Sequence, residues 1–467
     1  MVVFLDRIYI QTNLVEQYMK HTILKVYNRF SILALILAGS ITGPVLAQER
    51  ITLKRATELV LENNLQIKQA KFSEAISEVN LSQSKLAIYP TLNANTGLNF
   101  NYGRSIDLNS NQFINRAITS NNATVISNTN LFQGFRRMNE ISQNKVQLEA
   151  DKSNTQKVKN DLVLAVVTNY LSVLNAQDLL TASRQQLDIA NQQLDIEQKF
   201  FDVGNRTLAD LAQSKSQRAT AELNVTNAKN QVDLAFLDLA QLLERDPSIP
   251  FEIEKPQIDN IININAAYSA VDVFKTASLN FPDIKLAEFR KQVFEKEIDI
   301  AKAGYLPSLS LQNGLNTRYS NGTFFDTSFG EQVRDNFNQF IGFGLTIPIF
   351  NGLATKSNVR RANINFQNAM VSEQLAKNNL NKVINQAVYD LRAAEKRFYS
   401  AQTAYESSKE AFNVIEQRYA VGLVNSLDFN QAQTNLNRAQ FDQIQARYDF
   451  IFRSKVIDFY LGNPITF

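Results

Sequence analysis

Two stretches of the chain, residues 135–203 and 353–421, contain neither glycine nor proline, although the whole sequence carries 15 Gly and 9 Pro. Each stretch is 69 residues long, and the second begins 218 positions after the first. Glycine and proline are the residues that most often end or break a helix, so their absence predicts two very long α-helices. At 1.5 Å per residue each helix would be roughly 100 Å long, which no compact core requires.

The two stretches belong to a longer internal repeat. The motif LFQG at residues 131–134 returns as IFNG at residues 349–352, and FDVG at residues 201–204 returns as YAVG at residues 419–422. Such ordered repetition predicts a tandem duplication, in which both halves have the layout helix, two strands, long helix, tip and return helix. The predicted repeats are residues 48–257 and residues 258–467.

The N-terminus has the pattern of an export signal. Basic residues precede a short apolar stretch at residues 30–37, and the sequence Val-Leu-Ala at residues 45–47 suits cleavage before Gln48. We therefore expect residues 1–47 to be a signal peptide, with Met19 as an alternative start. The other interpretation, an N-terminal anchor helix, is disfavoured because the apolar stretch is shorter than the ~20 residues that a spanning helix needs.

Composition argues against several classes of function. The 48 basic and 45 acidic residues are interleaved, so the net charge of +3 gives no basic patch for nucleic acid. The chain has no Cys, and its single His, His21, lies in the predicted signal peptide. We therefore expect no enzyme activity, no cofactor, no metal centre and no nucleic-acid partner.

Four segments alternate apolar and polar side chains, two in each half. They are residues 92–103, 123–132, 309–319 and 341–349, and residues 104–122 are expected to form a polar loop. Segments of about 9–11 residues with this alternation suit transmembrane β-strands. The alternative is a sheet that packs its apolar face against a core.

Four strands cannot close a membrane barrel, because the smallest closed barrels have about eight strands. An open sheet would leave backbone polar groups unpaired in lipid. A barrel would therefore have to be shared among subunits. Two chains would supply eight strands and three would supply twelve, and the periodicity does not choose between them.

Both long stretches also carry a heptad repeat of apolar residues, which is typical of a coiled-coil seam. Each predicted helix is expected to turn at a tip glycine and to return as a second helix, over residues 207–243 or 426–461. The heptad positions are Val166, Val173, Leu180, Leu187, Leu194 and Phe201, and then Ile384, Leu391, Phe398, Tyr405, Phe412 and Tyr419.

In these features the sequence resembles the TolC-like outer membrane factors, the exit ducts of drug-efflux pumps and type I secretion systems. The resemblance covers about residues 48–467, and its motifs recur in order and in register in both halves. They are TLKRA at 52–56, LENN at 61–64, YPTL at 89–92, LPSL at 306–309, the LFQG and IFNG motifs, and the turns VGNRTLAD at 203–210 and VGLVNSLD at 421–428. The turns, which look like the family's hairpin tips, are the most specific.

The resemblance implies a mainly α fold with a β-barrel portion. Long coiled-coil hairpins would form an α-barrel, and four transmembrane β-strands per chain would contribute to a twelve-stranded barrel in a homotrimer. The protein would be a passive channel surrounded by outer membrane lipid, with a tunnel that extends into the periplasm. Its partners would be a periplasmic adaptor (membrane fusion) protein and an inner-membrane RND or ABC transporter.

The resemblance also implies that the hairpin tips meet the adaptor. Gly204 and Gly422 are expected to provide the backbone conformation that reverses each helix. Arg206, beside the first tip, is expected either to bridge neighbouring hairpins and hold a closed state or to be a solvated surface residue. The expected docking residues are Val203, Gly204, Val421, Gly422 and Leu423.

Asp210 and Asp428 each lie six residues past a tip glycine, and two interpretations are open. In the structural one they stabilise the first turn of the return helix, where Thr207 and Asp210 nearly form a capping box. In the functional one, which the resemblance favours for Asp210, copies of the aspartate form an acidic ring that selects cations and sets the resting gate. Gln213 and Gln431 stand where the family often has a second carboxylate, so this ring would be less acidic.

Two other classes remain as alternatives. A periplasmic coiled-coil adaptor or scaffold would also use long hairpins, but it would lack four strand segments and would usually carry a lipoyl-like or barrel domain. An enzyme would need a metal cluster, a phosphate-binding loop or a nucleophile system, and the sequence offers none of these patterns.

Overall fold

The computed structural model describes residues 50–106, 111–115, 117–256, 268–322, 327–463 and 465. The predicted signal peptide, residues 1–47, lies outside the described residues. The described residues divide into two units, of which the smaller comprises residues 50–52 and 248–254 and the larger comprises the rest.

The described elements follow one another in this order: β1 (Arg50–Ile51), α1 (Leu53–Asn63), α2 (Leu65–Leu86), β2 (Thr91–Asn101), β3 (Arg104–Ile106), β4 (Phe113–Asn115), β5 (Ile118–Gln133), α3 (Arg136–Asp202), α4 (Leu208–Leu242), β6 (Glu252–Ile253), α5 (Ala270–Asn280), α6 (Pro282–Lys302), a 3-10 turn (Ala303–Tyr305), β7 (Ser308–Ser320), α7 (Phe329–Asp335), β8 (Asn338–Thr346), α8 (Ala354–Ala420) and α9 (Ser426–Leu461).

The smaller unit contains a two-stranded parallel sheet. Strand β1 pairs with β6, so that Arg50 lies opposite Glu252 and Ile51 opposite Ile253. The Arg50 Nε and Glu252 Oε2 atoms are 3.3 Å apart, and both side chains are exposed. An exposed ion pair of this kind contributes at most ~1 kcal/mol.

The two long helices have the same length. Helices α3 and α8 each contain 67 residues, and each begins and ends one residue inside its stretch without Gly or Pro. The chain enters both helices through two successive left-handed residues, Gly134 with Phe135 and Gly352 with Leu353. A Cβ on Gly134 would lie 2.7 Å from the carbonyl oxygen of Ala303, so no larger residue fits there without a shift.

The helices of the larger unit pack side by side. Helix α3 lies against α2, α4, α6 and α9, and α8 lies against α5, α6 and α9. Helix α3 also contains one stretch that is long and apolar enough to cross a membrane, but almost half of that stretch is buried within the chain. Packing between helices therefore accounts for part of its apolar character.

The heptad prediction holds for α8 and only partly for α3. In α8 the seam is buried except at Tyr405, which is half-buried. In α3 Val166 and Val173 are fully buried, but the expected seam residues Leu180, Leu187, Leu194 and Phe201 are only half-buried. The buried positions towards the tip carry alanine (Ala182 and Ala190) or polar side chains instead, because α3 there faces the second hairpin as well as α4. These polar positions are Ser183, Gln186, Gln193 and Glu197.

The main sheet is antiparallel, with the strand order β2-β5-β7-β8. Its register places most of the large apolar side chains on one face, while the other face is rich in Asn, Ser and Gly and also carries Ile118, Ile126 and Phe340. Most of these apolar side chains are exposed in the single chain. The apolar face includes Leu92, Leu98, Phe100, Val125, Leu315, Ile341, Phe343 and Leu345.

Two details of the strand prediction are wrong. Strand β8 ends at Thr346, so residues 347–349 do not continue it, since Pro348 has no N–H with which to pair. The expected polar loop over residues 104–122 contains the β3–β4 hairpin and the first residues of β5. The rest of the pattern agrees: the described chain is mainly helical and has one four-stranded main sheet.

Candidate functional site at the hairpin tips

The two hairpins reverse through the same backbone motif. After α3, Gly204 has φ of 80°, its N–H donates to the Phe201 carbonyl at 2.9 Å, and the Asn205 N–H donates to the Phe200 carbonyl at 2.9 Å. This pair of hydrogen bonds is a Schellman motif, which a left-handed glycine completes. The motif satisfies carbonyl groups that the end of α3 would otherwise leave unpaired.

The second tip repeats this geometry. Gly422 has φ of 76°, its N–H donates to the Tyr419 carbonyl at 3.0 Å, and the Leu423 N–H donates to the Arg418 carbonyl at 2.9 Å. The side chains of Val203, Val421 and Leu423 are 68%, 70% and 70% exposed. Both tips therefore present apolar side chains on a rigid turn.

Asp210 forms a complete capping box with Thr207. The Asp210 N–H donates to the Thr207 hydroxyl oxygen at 3.2 Å, and the Asp210 carboxylate accepts the Thr207 N–H at 3.2 Å and its hydroxyl at 2.7 Å. Asp210 therefore has the helix-capping role that the structural interpretation predicts. It is not the whole role of the residue, because the other carboxylate oxygen accepts a hydrogen bond from the Ser426 hydroxyl at 2.7 Å.

The Asp210–Ser426 hydrogen bond joins the two hairpins, because Asp210 lies in the first turn of α4 and Ser426 is the first residue of α9. The Ser426 hydroxyl, followed by the Thr207 groups, lowers the pKa of Asp210 below its ordinary value of 3.8. These donors stabilise the ionised form. Asp210 therefore carries its charge at neutral pH while it holds the second hairpin.

Asp428 lies at the equivalent position of the second hairpin but makes different contacts. Its N–H donates to the Asn425 side chain at 2.8 Å, which caps α9, and its own side chain is exposed. The structure thus brings Asp210, and not Asp428, into a contact between hairpins within one chain.

Arg206 packs across the gap between the hairpins. Its guanidinium carbon lies 5.0 Å from the ring centre of Tyr419 in α8 and 5.8 Å from that of Phe200 in α3. The Arg206 Nε lies 3.5 Å from Glu197 Oε2, and the side chain is only 21% exposed. Arg206 is therefore not a solvated surface residue but a covered cation that touches both hairpins.

Glu197 lies beneath Arg206 and is fully buried. The Tyr419 hydroxyl donates to its Oε1 atom, and the Gln193 side-chain amide donates to the same oxygen at 3.1 Å. Burial raises the pKa of Glu197, and the nearby negative charge of Asp210 acts in the same direction, whereas Arg206 lowers it. The sum is a raised pKa, so the site favours the neutral form of Glu197 more than water does.

An aromatic cluster fixes the Tyr419 ring. Tyr419 stacks on Phe429 with 4.7 Å between ring centres, and Phe412 contacts Phe429 at 5.4 Å. In the sequence Tyr419 and Phe412 stand out only as heptad positions, and Glu197 and Ser426 do not stand out as site residues. The sequence pattern that could have identified Glu197 is a pair of polar residues four positions apart, Gln193 and Glu197, among the apolar positions of a long helix.

A second link between the two halves lies farther from the tips. Asp178 of α3 accepts hydrogen bonds from Arg447 and from the Tyr448 hydroxyl, both in α9, and is also paired with Lys255. Burial, followed by the Asp178 charge, raises the pKa of Tyr448. Between these two links, the Gln440 amide of α9 also donates to the Gln185 side chain of α3 at 3.3 Å, so the first and second hairpins are tied at several points along their length.

The sequence matches the family model described as outer membrane efflux protein, over residues 56–245 and again over residues 273–463. The chain therefore belongs to the outer membrane efflux protein family, a family of outer membrane channels. The protein is located in the outer membrane, with a tunnel that extends into the periplasm. This assignment replaces the alternative of a periplasmic adaptor or scaffold.

Individual relatives are similar over much of the chain. Outer membrane efflux protein BepC of Brucella suis is 21% identical over 441 residues, which are 93% of this chain and 90% of that protein. Outer membrane protein TolC of Escherichia coli is 24% identical over 319 residues, 65% of this chain and 61% of that protein. The CmeC outer membrane channel of Campylobacter jejuni superposes with a TM-score of 0.74 at 19% identity, covering 88% of this chain and 85% of that one.

Proposed function

We propose that three copies of the chain form a passive exit duct across the outer membrane. The observation that carries this proposal is the open, amphipathic main sheet. In the described part of the chain its edge strands are β2 and β8, and its apolar face is exposed. An open edge in lipid leaves backbone groups unpaired, each at a penalty of several kcal/mol, so the sheet needs partner strands from other copies.

Three copies supply twelve strands, an even number within the range of bacterial outer membrane barrels. The apolar face then contacts outer membrane lipid, and the face rich in Asn, Ser and Gly lines the channel. The chain itself catalyses no reaction in this proposal. An inner-membrane RND or ABC transporter supplies the energy, and the duct serves either efflux or type I secretion.

The predicted duplication is part of the proposal. Residues 48–257 and 258–467 act as two structural repeats, and residues 1–47 are removed as a signal peptide. Support comes from the two separate family matches, the equal lengths of α3 and α8 and the two Schellman tips. The mass of the mature protein, extracted from outer membranes, tests the cleavage site.

The hairpin tips are the proposed docking site for a periplasmic adaptor (membrane fusion) protein. Exposed apolar side chains on rigid turns suit an interface, because little conformational entropy is lost on binding. Above the tips, Asp210, Asp428 and Arg206 form the proposed gate, in which Arg206 and Asp210 hold the two hairpins of each chain together. The docking residues are Val203, Gly204, Val421, Gly422 and Leu423.

Planar bilayers test this function directly. The purified protein should form passive, ion-conducting channels without any nucleotide or proton gradient, and these channels should prefer cations if the aspartates line the mouth. A protein that inserts into bilayers as a stable assembly but never conducts would contradict the proposal.

A further inference from the structure

The short helix α7 lies between the last two strands of the main sheet. Strand β7 begins at Ser308, next to the 3-10 turn that follows α6, and α7 follows the opposite end of β7. The helices α3, α4, α8 and α9 all belong to the periplasmic side in the proposed duct, so α7 lies at the cell-surface end of the sheet.

Helix α7 is fastened to strand β7. The Thr317 hydroxyl donates to the Val333 carbonyl at 2.7 Å, and the Asn336 side-chain amide donates to the Arg318 carbonyl at 2.9 Å. Ser328 also forms a capping box with Glu331 at the start of the helix. The helix therefore has a defined place relative to the strand.

A buried glutamine strengthens this attachment. The Gln332 side chain is 4% exposed, its oxygen accepts the Ser320 N–H at 3.0 Å, and its amide donates to the Thr327 carbonyl at 3.2 Å. A buried amide with both ends paired fixes one orientation, because any other would leave polar atoms unpaired.

The register of the sheet shows on which face α7 lies. Thr317 and Tyr319 belong to the same face as Leu315, since side chains two apart on a strand share a face. The Tyr319 ring contacts the Phe329 ring of α7, with 5.1 Å between centres. Helix α7 therefore covers the apolar face of the sheet and not the polar face.

Phe337, just after α7, lies over the same face. Together with Thr96, Ala123, Leu315 and Thr317 it lines a cavity of about 340 Å³ on the sheet. The Phe337 and Phe329 side chains are 54% and 60% exposed. Two large aromatic rings thus lie at the end of the apolar face with more than half of each side chain exposed.

Membrane proteins place aromatic rings at the level of the lipid headgroups, where an apolar ring meets water-exposed polar groups. Helix α7 offers this combination, because Glu331, Arg334 and Asp335 lie on the same short helix as Phe329. The aromatic surface of Phe329 and Phe337 is also continuous with the apolar face of the sheet. A helix that lined the channel would instead lie on the face rich in Asn, Ser and Gly.

We propose that α7, with Phe329 and Phe337, is a lipid-binding collar that lies against the headgroup region of the outer leaflet. Its partner is the lipid itself, and the collar sets how deeply the barrel sits in the membrane. This inference rests on the proposed function, because it requires the apolar face of the main sheet to contact lipid.

Tryptophan fluorescence tests the collar, because the chain contains no Trp. Phe329→Trp and Phe337→Trp would be reconstituted in phosphatidylcholine vesicles that carry bromine, a quencher, either near the headgroup or near the end of the acyl chains. The Ile341→Trp variant shows whether the apolar face of the sheet contacts lipid. Leu423→Trp, at the periplasmic tip, is the control for a tryptophan surrounded by water. Each variant must first migrate as the same assembly as the wild type.

Both collar variants should lose most of their fluorescence to bromine near the headgroup and clearly less to deep bromine. Ile341→Trp should be quenched by lipid bromine, and Leu423→Trp should not respond. Collar variants that ignore both bromolipids while Ile341→Trp is quenched would overturn the collar and leave the barrel intact. An unquenched Ile341→Trp would overturn the lipid-facing sheet, and the collar with it.

Discussion

The Tyr419 hydroxyl of α8 donates a hydrogen bond to the fully buried carboxyl group of Glu197 in α3. The two residues are 222 positions apart in the chain, and each lies near the tip of its hairpin. Arg206 covers the pair, and Asp210 makes the next contact outward by accepting the Ser426 hydroxyl. We call Glu197, Tyr419, Arg206, Asp210 and Ser426 the tip clasp.

Removing the Tyr419 hydroxyl should loosen the clasp. In Tyr419→Phe the aromatic stacking is kept, but the buried Oε1 atom of Glu197 loses one of its two hydrogen-bond donors and keeps Gln193. The loss of one hydrogen bond should cost about 0.5–1.5 kcal/mol. Single-channel recordings should show a higher resting conductance or more frequent opening. Tyr405→Phe is the matched control, because Tyr405 is a half-buried heptad residue of the same helix, and its recordings should equal those of the wild type.

The two tip aspartates should differ in their effect. Asp210→Ala removes a capping box, a contact between hairpins and a charge at the tunnel mouth, so it should raise conductance or lower cation preference. Ser426→Ala removes only the contact and keeps the charge, so it should raise conductance while cation preference stays. Asp428→Ala should leave the contact intact and act on cation preference alone. Identical recordings for Asp210→Ala and the wild type would refute the gate assignment.

The clasp should respond to pH in two opposite steps. The pKa of Glu197 is raised, so the stability that its neutral form gives the fold is full below the ordinary value of 4.5 and is lost as pH rises through the raised pKa. The pKa of Asp210 is lowered, so its contribution is present above 3.8 and is lost as pH falls through the lowered pKa. Acidification from neutral pH should therefore first tighten the clasp and then release it in strong acid.

The resting open probability, recorded as a function of pH, measures both steps. In Glu197→Gln the side chain stays neutral at every pH, so the tightening step should disappear while the release in strong acid remains. In Ser426→Ala the release in strong acid should disappear, because the contact that Asp210 makes with the second hairpin is already gone. A Glu197→Gln profile that matches the wild type would mean that Glu197 does not titrate in the clasp.

Glycine substitutions should follow the local geometry. In Gly204→Ala and Gly422→Ala the added Cβ has no other atom within 4 Å. These variants should therefore lose only the ~1–2 kcal/mol of folding stability that a residue with a side chain loses in the left-handed conformation. Gly134→Ala should lose more folding stability, since its Cβ would also lie too close to the Ala303 carbonyl oxygen. Gly342→Ala, in open space, serves as the control. The temperature at which the assembly dissociates should fall most for Gly134→Ala, less for Gly204→Ala and Gly422→Ala, and least for Gly342→Ala. Equal values for Gly134→Ala and Gly342→Ala would contradict this prediction.

The long helices and the tips could be predicted because Gly and Pro mark helix ends in the sequence itself, so both predicted lengths agree with the structure to one residue at each end. The apolar face of the sheet could be predicted as well, because apolar and polar side chains alternate along the strands with a period of two. The Glu197–Tyr419 contact could not be predicted, because it depends on which sides of two distant helices meet. Helix α7 escaped detection because seven residues are too few to show a helical period.

The number of chains in the assembly is the most direct test of a barrel shared by three subunits. The intact complex would be extracted from outer membranes and weighed by native mass spectrometry, with the denatured mature chain as the reference mass. We expect one dominant species of three times that mass, which supplies the twelve strands that close the barrel. A dominant monomer or dimer would contradict it.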